Sequence, residues 1–263
     1  MEPIFEGSAV ALVLPMLDDG SIDYDGFKRQ VQRMIDGGVQ ALLVNGTTGE
    51  TPTIHIDEEF ELTKIVMEMT KGTGVKVIAG AGSNDTETAL KKAKFAKEVG
   101  ADAILVVTPY YNKATQKGLI AHYKAVAAEA KAPIILYSVA SRTGLNITPE
   151  TAAELAKVEN IVAIKEASGN ISQIAKIMQL TDGKLDLYSG NDDQIVPLLS
   201  LGGKGVISVL SNLIPNETHA ICTSYFRGNS EESDNLQLKY LELIEALFLD
   251  VNPIPVKQAM RAM

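Results

Sequence analysis

The sequence predicts an α/β chain, specifically a (β/α)8 or TIM barrel followed by a C-terminal helical extension. Three observations lead there. Eight short apolar, largely β-branched runs recur roughly 20–35 residues apart with amphipathic helical stretches between them, the spacing of βα units. Three times a helical pattern ends in glycine and a strand follows within a few residues, in GGVQALLV, VGADAILVV and LGGKGVISV. The length of 263 residues suits a single barrel of about 250 residues. A doubly wound open sheet is the second choice, and it lacks the GxGxxG turn after its first strand.

The strands are expected at Ala9–Leu14, Ala41–Val44, Lys76–Ala79, Ala103–Val107, Ile134–Tyr137, Ile161–Ile164, Leu185–Tyr188 and Gly205–Val209. Most are near-continuous apolar runs, as parallel strands covered by helices require. Helical periodicity appears at Tyr24–Asp36, Asp57–Thr70, Thr86–Glu98 and Leu119–Ala130. Asp57 is placed to cap the second helix, and Thr148-Pro149 reads as an N-cap with proline at the first helical position. Gly37-Gly38, Gly100 and Gly202-Gly203 mark helix ends. A long helical pattern, Glu231–Phe248, and a short one after Pro255 follow the eighth unit. Residues 1–228 are therefore assigned to the barrel and 229–263 to the helical segment.

Composition narrows the function. With 46% hydrophobic and 22% charged residues, the chain is an ordinary globular one. Its 33 acidic against 24 basic residues give a net charge of −9, which disfavours nucleic acid and anionic membranes as partners. The single cysteine, Cys222, excludes an internal disulfide or a Cys-based zinc site. No segment has the length of a membrane span, and Ala9–Leu17 does not read as a secretion signal, so a cytoplasmic location is expected. The histidines form no HxH or HExxH pattern and there is no phosphate-binding Walker loop, so neither metal nor cofactor is expected.

In a (β/α)8 barrel, chemistry sits at the C-terminal ends of the strands. Lys165 directly continues the run Ile161-Val162-Ala163-Ile164 and shares a strand face with Ala163. A lysine at a barrel mouth loses its proton on desolvation and attacks carbonyl carbon, while a structural ion pair is the competing role. Tyr137 ends the neighbouring strand, as a core residue or as a proton shuttle beside that lysine. The Gly46-Thr47-Thr48-Gly49 turn offers hydroxyls and N–H groups to a small carboxylate, and is also an ordinary turn sequence. Arg142 suits a second carboxylate unless it is simply an exposed arginine.

Together GTTGE, TPYYN, ILYSVASRTG, IVAIKEASGN, YSGNDD, GVISV and NPIPVK make the chain resemble, from about Phe5 to its last residue, the dihydrodipicolinate synthase (4-hydroxy-tetrahydrodipicolinate synthase) family of pyruvate-dependent class I aldolases. The resemblance implies a barrel that condenses pyruvate with L-aspartate 4-semialdehyde in lysine and diaminopimelate biosynthesis, acting as a homodimer or homotetramer. It gives Lys165 the Schiff-base role and Tyr137 that of general acid and base. Thr47 and Tyr111 match the proton relay, Tyr111 being supplied across a dimer interface. Thr48 and Ile207 match residues that hold pyruvate, with Gly190 nearby, and Arg142 matches the receiver of the semialdehyde carboxylate. Sister aldolases acting on N-acetylneuraminate or 2-keto-3-deoxy sugar acids would use the same lysine and tyrosine, and an impaired barrel is the remaining alternative. The Ser-Arg-Thr-Gly run, the second threonine of GTTGE and the Tyr110-Tyr111 pair favour the synthase.

Three departures from the family pattern stand out. Ser138 and Ala140 replace the usual Asn and Pro before the Ser141-Arg142-Thr143-Gly144 run, which is expected to loosen the loop aiming Arg142. Leu14 replaces a threonine ahead of Pro15. The helical extension is shorter than in the family, as if truncated. Feedback-regulated members bind lysine at the dimer interface. Asn84 and Tyr110 match that site, whereas Ile56, Glu59 and Thr88 replace its usual polar or acidic residues, so inhibition by lysine is expected to be weak.

Overall fold

Eight strands close into one parallel barrel in the computed structural model, which describes residues 2–263. In chain order the elements are β1 (Gly7–Ala11), α1 (Tyr24–Asp36), β2 (Ala41–Val44), α2 (Ile56–Met69), β3 (Lys76–Gly80), α3 (Thr86–Glu98), β4 (Ala103–Val107) and α4 (Gln116–Ala130). Then come β5 (Ile134–Ser138), α5 (Ala140–Thr143), α6 (Pro149–Leu155), β6 (Ile161–Glu166), α7 (Ile171–Thr181), β7 (Asp186–Ser189), α8 (Ile195–Ser200), β8 (Gly205–Ser208) and α9 (Pro215–Phe226). The chain ends with α10 (Ser230–Lys239), α11 (Leu241–Ala246) and α12 (Ile254–Ala262). The expected fold class is the observed one.

Strand alternation sorts the apolar residues into two layers. Ala9, Ala41, Ala103, Ile135, Ala163 and Ile207 point into the barrel, while Val10, Leu42, Ile104, Leu136 and Ile164 face the helices. Many inward positions are alanine because eight tilted strands leave little room inside. Between β1 and β8 the backbones approach so closely that a Cβ on Gly205, whose φ is +147°, would strike the Gly7 carbonyl. At the N-terminal end the Tyr188 ring stacks on Phe5 with centroids 4.3 Å apart, and its hydroxyl donates to the Phe5 carbonyl at 2.8 Å. That floor leaves the C-terminal mouth as the open end.

Several local expectations shift. β1 is Gly7–Ala11 rather than Ala9–Leu14, because Leu12 is the last residue to bond the neighbouring strand before Pro15, which has no N–H. His55, not Asp57, occupies the N-cap of α2, and its N–H donates to Glu58 at 2.7 Å. Asp57 lies in the first helical turn, where its charge still favours the helix dipole. The single helix expected at Glu231–Phe248 is two, broken at Tyr240. α10 packs on α8 and α9, while Ile244 and Leu247 of the following stretch join Val13, Val209 and Leu210 over the ends of β1 and β8. The break lets one stretch of sequence serve these two differently placed surfaces, and it brings the α11–α12 connection over the barrel mouth.

Candidate active site

Strand register sets the central pair. Tyr137 of β5 is the direct neighbour of Lys165 of β6, and Nζ of Lys165 lies 4.4 Å from the centroid of the Tyr137 ring. Both side chains are buried; Lys165 is 5% exposed. Burial pushes the lysine down from 10.5 to about 8, the nearby Asp192 carboxylate works against this, and the Arg142 cation adds to it. Burial likewise raises the Tyr137 phenol, with a hydrogen bond to Thr47 and the Arg142 charge pulling the other way. An aromatic face at this distance steadies whatever cationic form the nitrogen takes.

A cavity of about 200 Å³ opens above Lys165, and Thr47, Thr48, Tyr137, Arg142 and Gly190 line it together. Thr47 and Thr48 sit in a 3₁₀ turn, Thr47–Gly49, closed by the Glu50 N–H on the Thr47 carbonyl. Gly190 allows the close approach at β7: a Cβ there would lie 3.1 Å from Cε of Lys165 and 2.8 Å from the Ala167 methyl. Any larger residue would displace the lysine.

Arg142 rides on α5, a single helical turn the sequence did not reveal. Two hydrogen bonds fasten the loop that lacks the proline. Thr108 donates to the Thr143 hydroxyl at 2.9 Å, and Arg142 Nη2 donates to the Asn252 carbonyl at 3.0 Å. Ser138 points away from the cavity and donates to Asn146 at 3.1 Å. Leu14 packs in the outer layer with Phe27 and Met34, so its missing hydroxyl does not alter the cavity wall.

Two expected residues lie apart from this group. The Ile207 side chain is buried in the interior layer beneath the cavity, and the wall at β8 is Val209 instead. Tyr111 is 91% exposed, with a left-handed φ of 67°, and the cavity of its own chain is walled without it. Sequence reasoning missed Asn252, which lines the cavity from the far end of the chain, and Asp192, which is buried beside the mouth and accepts from the Val209 and Leu210 N–H groups at 3.0 and 2.9 Å. Both lie inside motifs already singled out, NPIPVK and YSGNDD, but only tertiary proximity marks them.

A second cavity, of about 240 Å³, shares Thr47, Tyr137 and Arg142 with the first and runs outward to Tyr110 and Lys92. There Glu59 turns inward and meets Lys92 at 2.7 Å, with both side chains largely buried.

A buried lysine amine whose proton affinity is lowered to about 8, beside a tyrosine and under a cavity walled by hydroxyls and a guanidinium, has the makeup of the imine-forming class of barrel aldolases. Residues 4–263 match the model of the dihydrodipicolinate synthetase family, and the chain belongs to that family. It is 53% identical over 261 residues to the 4-hydroxy-tetrahydrodipicolinate synthase of Caldicellulosiruptor saccharolyticus, covering 99% of this chain and 88% of that one. It is 51% identical over 260 residues to the Clostridium perfringens enzyme of the same name, covering 99% and 89%. The crystal structure of DHDPS from Cyanidioschyzon merolae with lysine bound superposes with a TM-score of 0.96 at 43% identity, covering 99% of this chain and 89% of that one. Among the described residues no helix is long and apolar enough to cross a membrane.

Proposed function

We propose that this chain condenses pyruvate with L-aspartate 4-semialdehyde to give 4-hydroxy-tetrahydrodipicolinate, through an imine on Lys165. The observation that carries this reading is the buried Lys165–Tyr137 pair at the floor of a cavity whose rim bears hydroxyls on one side and a guanidinium on the other. The neutral Lys165 amine attacks the pyruvate carbonyl, and Tyr137 returns a proton to the oxygen that leaves as water. Loss of a C3 proton turns the resulting iminium into an enamine, whose C3 attacks the semialdehyde carbonyl. The amino group of the second substrate then attacks the imine carbon, closes the ring and releases Lys165. Pyruvate's carboxylate is held by the Thr47–Thr48 turn above Ile207 and Gly190, and the semialdehyde's by Arg142.

Thr47 hands protons between Tyr137 and solvent. Tyr111 completes that relay in a second copy of this chain, which accounts for an aromatic side chain left open to water on a strained backbone. The assembly is therefore at least a dimer. The deciding assay offers the chain pyruvate with aspartate semialdehyde and, separately, N-acetylneuraminate or a 2-keto-3-deoxy sugar acid. Condensation in the first case and no pyruvate release in the others is expected; the opposite pattern would move the chain to a sister aldolase.

Lysine is expected to be a poor inhibitor. The inward turn of Glu59 would suit an incoming ammonium, but one carboxylate oxygen is already paired with Lys92, whose charge would repel a second cation. The Thr88 side chain is engaged at the start of α3, where its hydroxyl donates to Asp85 at 2.5 Å. In a lysine titration at saturating pyruvate, half-inhibition should lie above about a millimolar, an interaction of no more than about 4 kcal/mol. Sub-millimolar inhibition would show that Lys92 gives way.

A further inference from the structure

Asn252 sits in the connection between α11 and α12, is 5% exposed, and touches both of the residues given a carboxylate to hold. Its side-chain Nδ2 donates to Oγ1 of Thr48 at 3.1 Å. Its main-chain oxygen accepts from Arg142 Nη2 at 3.0 Å. The segment around it is fastened on both sides. Lys257 pairs with Glu50 at 2.8 Å, immediately after the Thr47–Gly49 turn, and Val256 is buried among Val13, Leu210 and Leu213.

We propose that Asn252 is a positioning residue that orients the pyruvate-binding hydroxyl and ties it to the arginine serving the second substrate; this rests on the roles assigned above to Thr48 and Arg142. A threonine hydroxyl has one proton to give and lone pairs to receive with. Because the Asn252 amide donates to it, the Thr48 oxygen is the acceptor in that contact. Its own proton is left for the cavity that Thr48 lines, where a carboxylate is the acceptor it suits. The same residue's carbonyl occupies one arm of the Arg142 guanidinium and leaves the rest of the fork for a carboxylate. The separation of the two anion-binding groups is thus set by one residue of the C-terminal segment, and the Lys257–Glu50 pair holds that segment against the turn.

The test uses the full chain, steady-state kinetics in both substrates, borohydride trapping of pyruvate on Lys165, and thermal melting. Asn252→Ala should raise half-saturating pyruvate about fivefold to tenfold, the worth of one buried hydrogen bond, while the Lys165 adduct still forms at saturating pyruvate. Asn252→Asp is nearly isosteric and is the variant most able to keep the fold. It should be worse than alanine for pyruvate, since a carboxylate takes the Thr48 proton and repels the substrate's charge. In a Thr48→Val background, adding Asn252→Ala should change half-saturating pyruvate by less than about twofold, because the shared contact is already gone. An Asn252→Ala enzyme with unchanged half-saturation overturns the proposal. So does an aspartate variant that binds pyruvate better than the alanine one, the order expected if Asn252 only fills space. Failure of the unsubstituted chain to form any Lys165 adduct would instead remove the imine reading itself, and the proposal with it.

Discussion

Replacing Lys165 with methionine should abolish the borohydride-stable pyruvate adduct, lower condensation by roughly 10⁴-fold or more, and make the protein more stable at pH 7. The first two effects follow from removing the nitrogen proposed to form the covalent bond to pyruvate. In the unsubstituted chain the adduct should map to the peptide containing Ala163-Ile164-Lys165, and its rate of formation should climb through about pH 8 as the amine loses its proton. The third effect follows from burial. The lysine's value falls from 10.5 to about 8 on folding, so between those pH values the unfolded chain binds more protons than the folded one, and stability rises with pH across that window. Below about pH 8 the full cost of the buried charge is present, about 3 kcal/mol. Methionine, of similar length and without charge, removes that cost, so its melting advantage should be largest at pH 7 and fade as the pH approaches 10.5. An adduct that survives the substitution sinks the assignment of Lys165. A variant whose advantage grows with pH contradicts the electrostatic origin. The same protein offers a test of the shared relay: mixed and refolded with Tyr111→Phe, it should recover activity, because one mixed site then has both Lys165 and an intact Tyr111. No recovery over either variant alone would argue against a tyrosine supplied from a second copy.

Arg142→Ala should separate the two substrates. Pyruvate should still be trapped on Lys165, while kcat/KM for the semialdehyde falls roughly 100-fold, about 3 kcal/mol for the loss of charge-assisted hydrogen bonds to a carboxylate. Arg142→Lys should recover only part of the loss, since an ammonium keeps the charge but not the planar fork. The alanine variant carries a second signature. Arg142 lowers the values of both Lys165 and Tyr137, so removing it should move the pH dependence of adduct formation upward. Loss of the pyruvate adduct with normal use of the semialdehyde would exchange the two roles.

Much of this protein was legible in residue order alone, and the reason is periodicity. Parallel strands covered by helices need continuous apolar runs, and helices need a 3.6-residue stripe, so eight alternations declare a barrel without any knowledge of contacts. Once a barrel is declared, the C-terminal end of each strand is a short list of residues, and Lys165, Tyr137, the Thr47–Thr48 turn and Arg142 are on it. Their convergence on one cavity follows from register, which pairs Tyr137 with Lys165 across adjacent strands.

Other features depend on atoms far apart in sequence. Asn252 reaches Thr48 across 204 positions, and Lys257 reaches Glu50 across 207, so no local pattern identifies either contact. The break at Tyr240 has no glycine or proline to announce it; it comes from two packing surfaces that face different ways. Arg142 is aimed by a helical turn fastened to Thr108 and Asn252, contacts that local sequence does not show. Glu59 is placed by its position in the sequence at the inhibitor site, but its burial against Lys92 is a tertiary contact. Sequence alone therefore determined the architecture and which strand-end residues meet at the barrel mouth, because these follow from repeating local preferences. The tertiary structure decided which side chains orient those residues and which carboxylate is already paired, because hydrogen bonds and ion pairs form between whatever the closed barrel brings within reach.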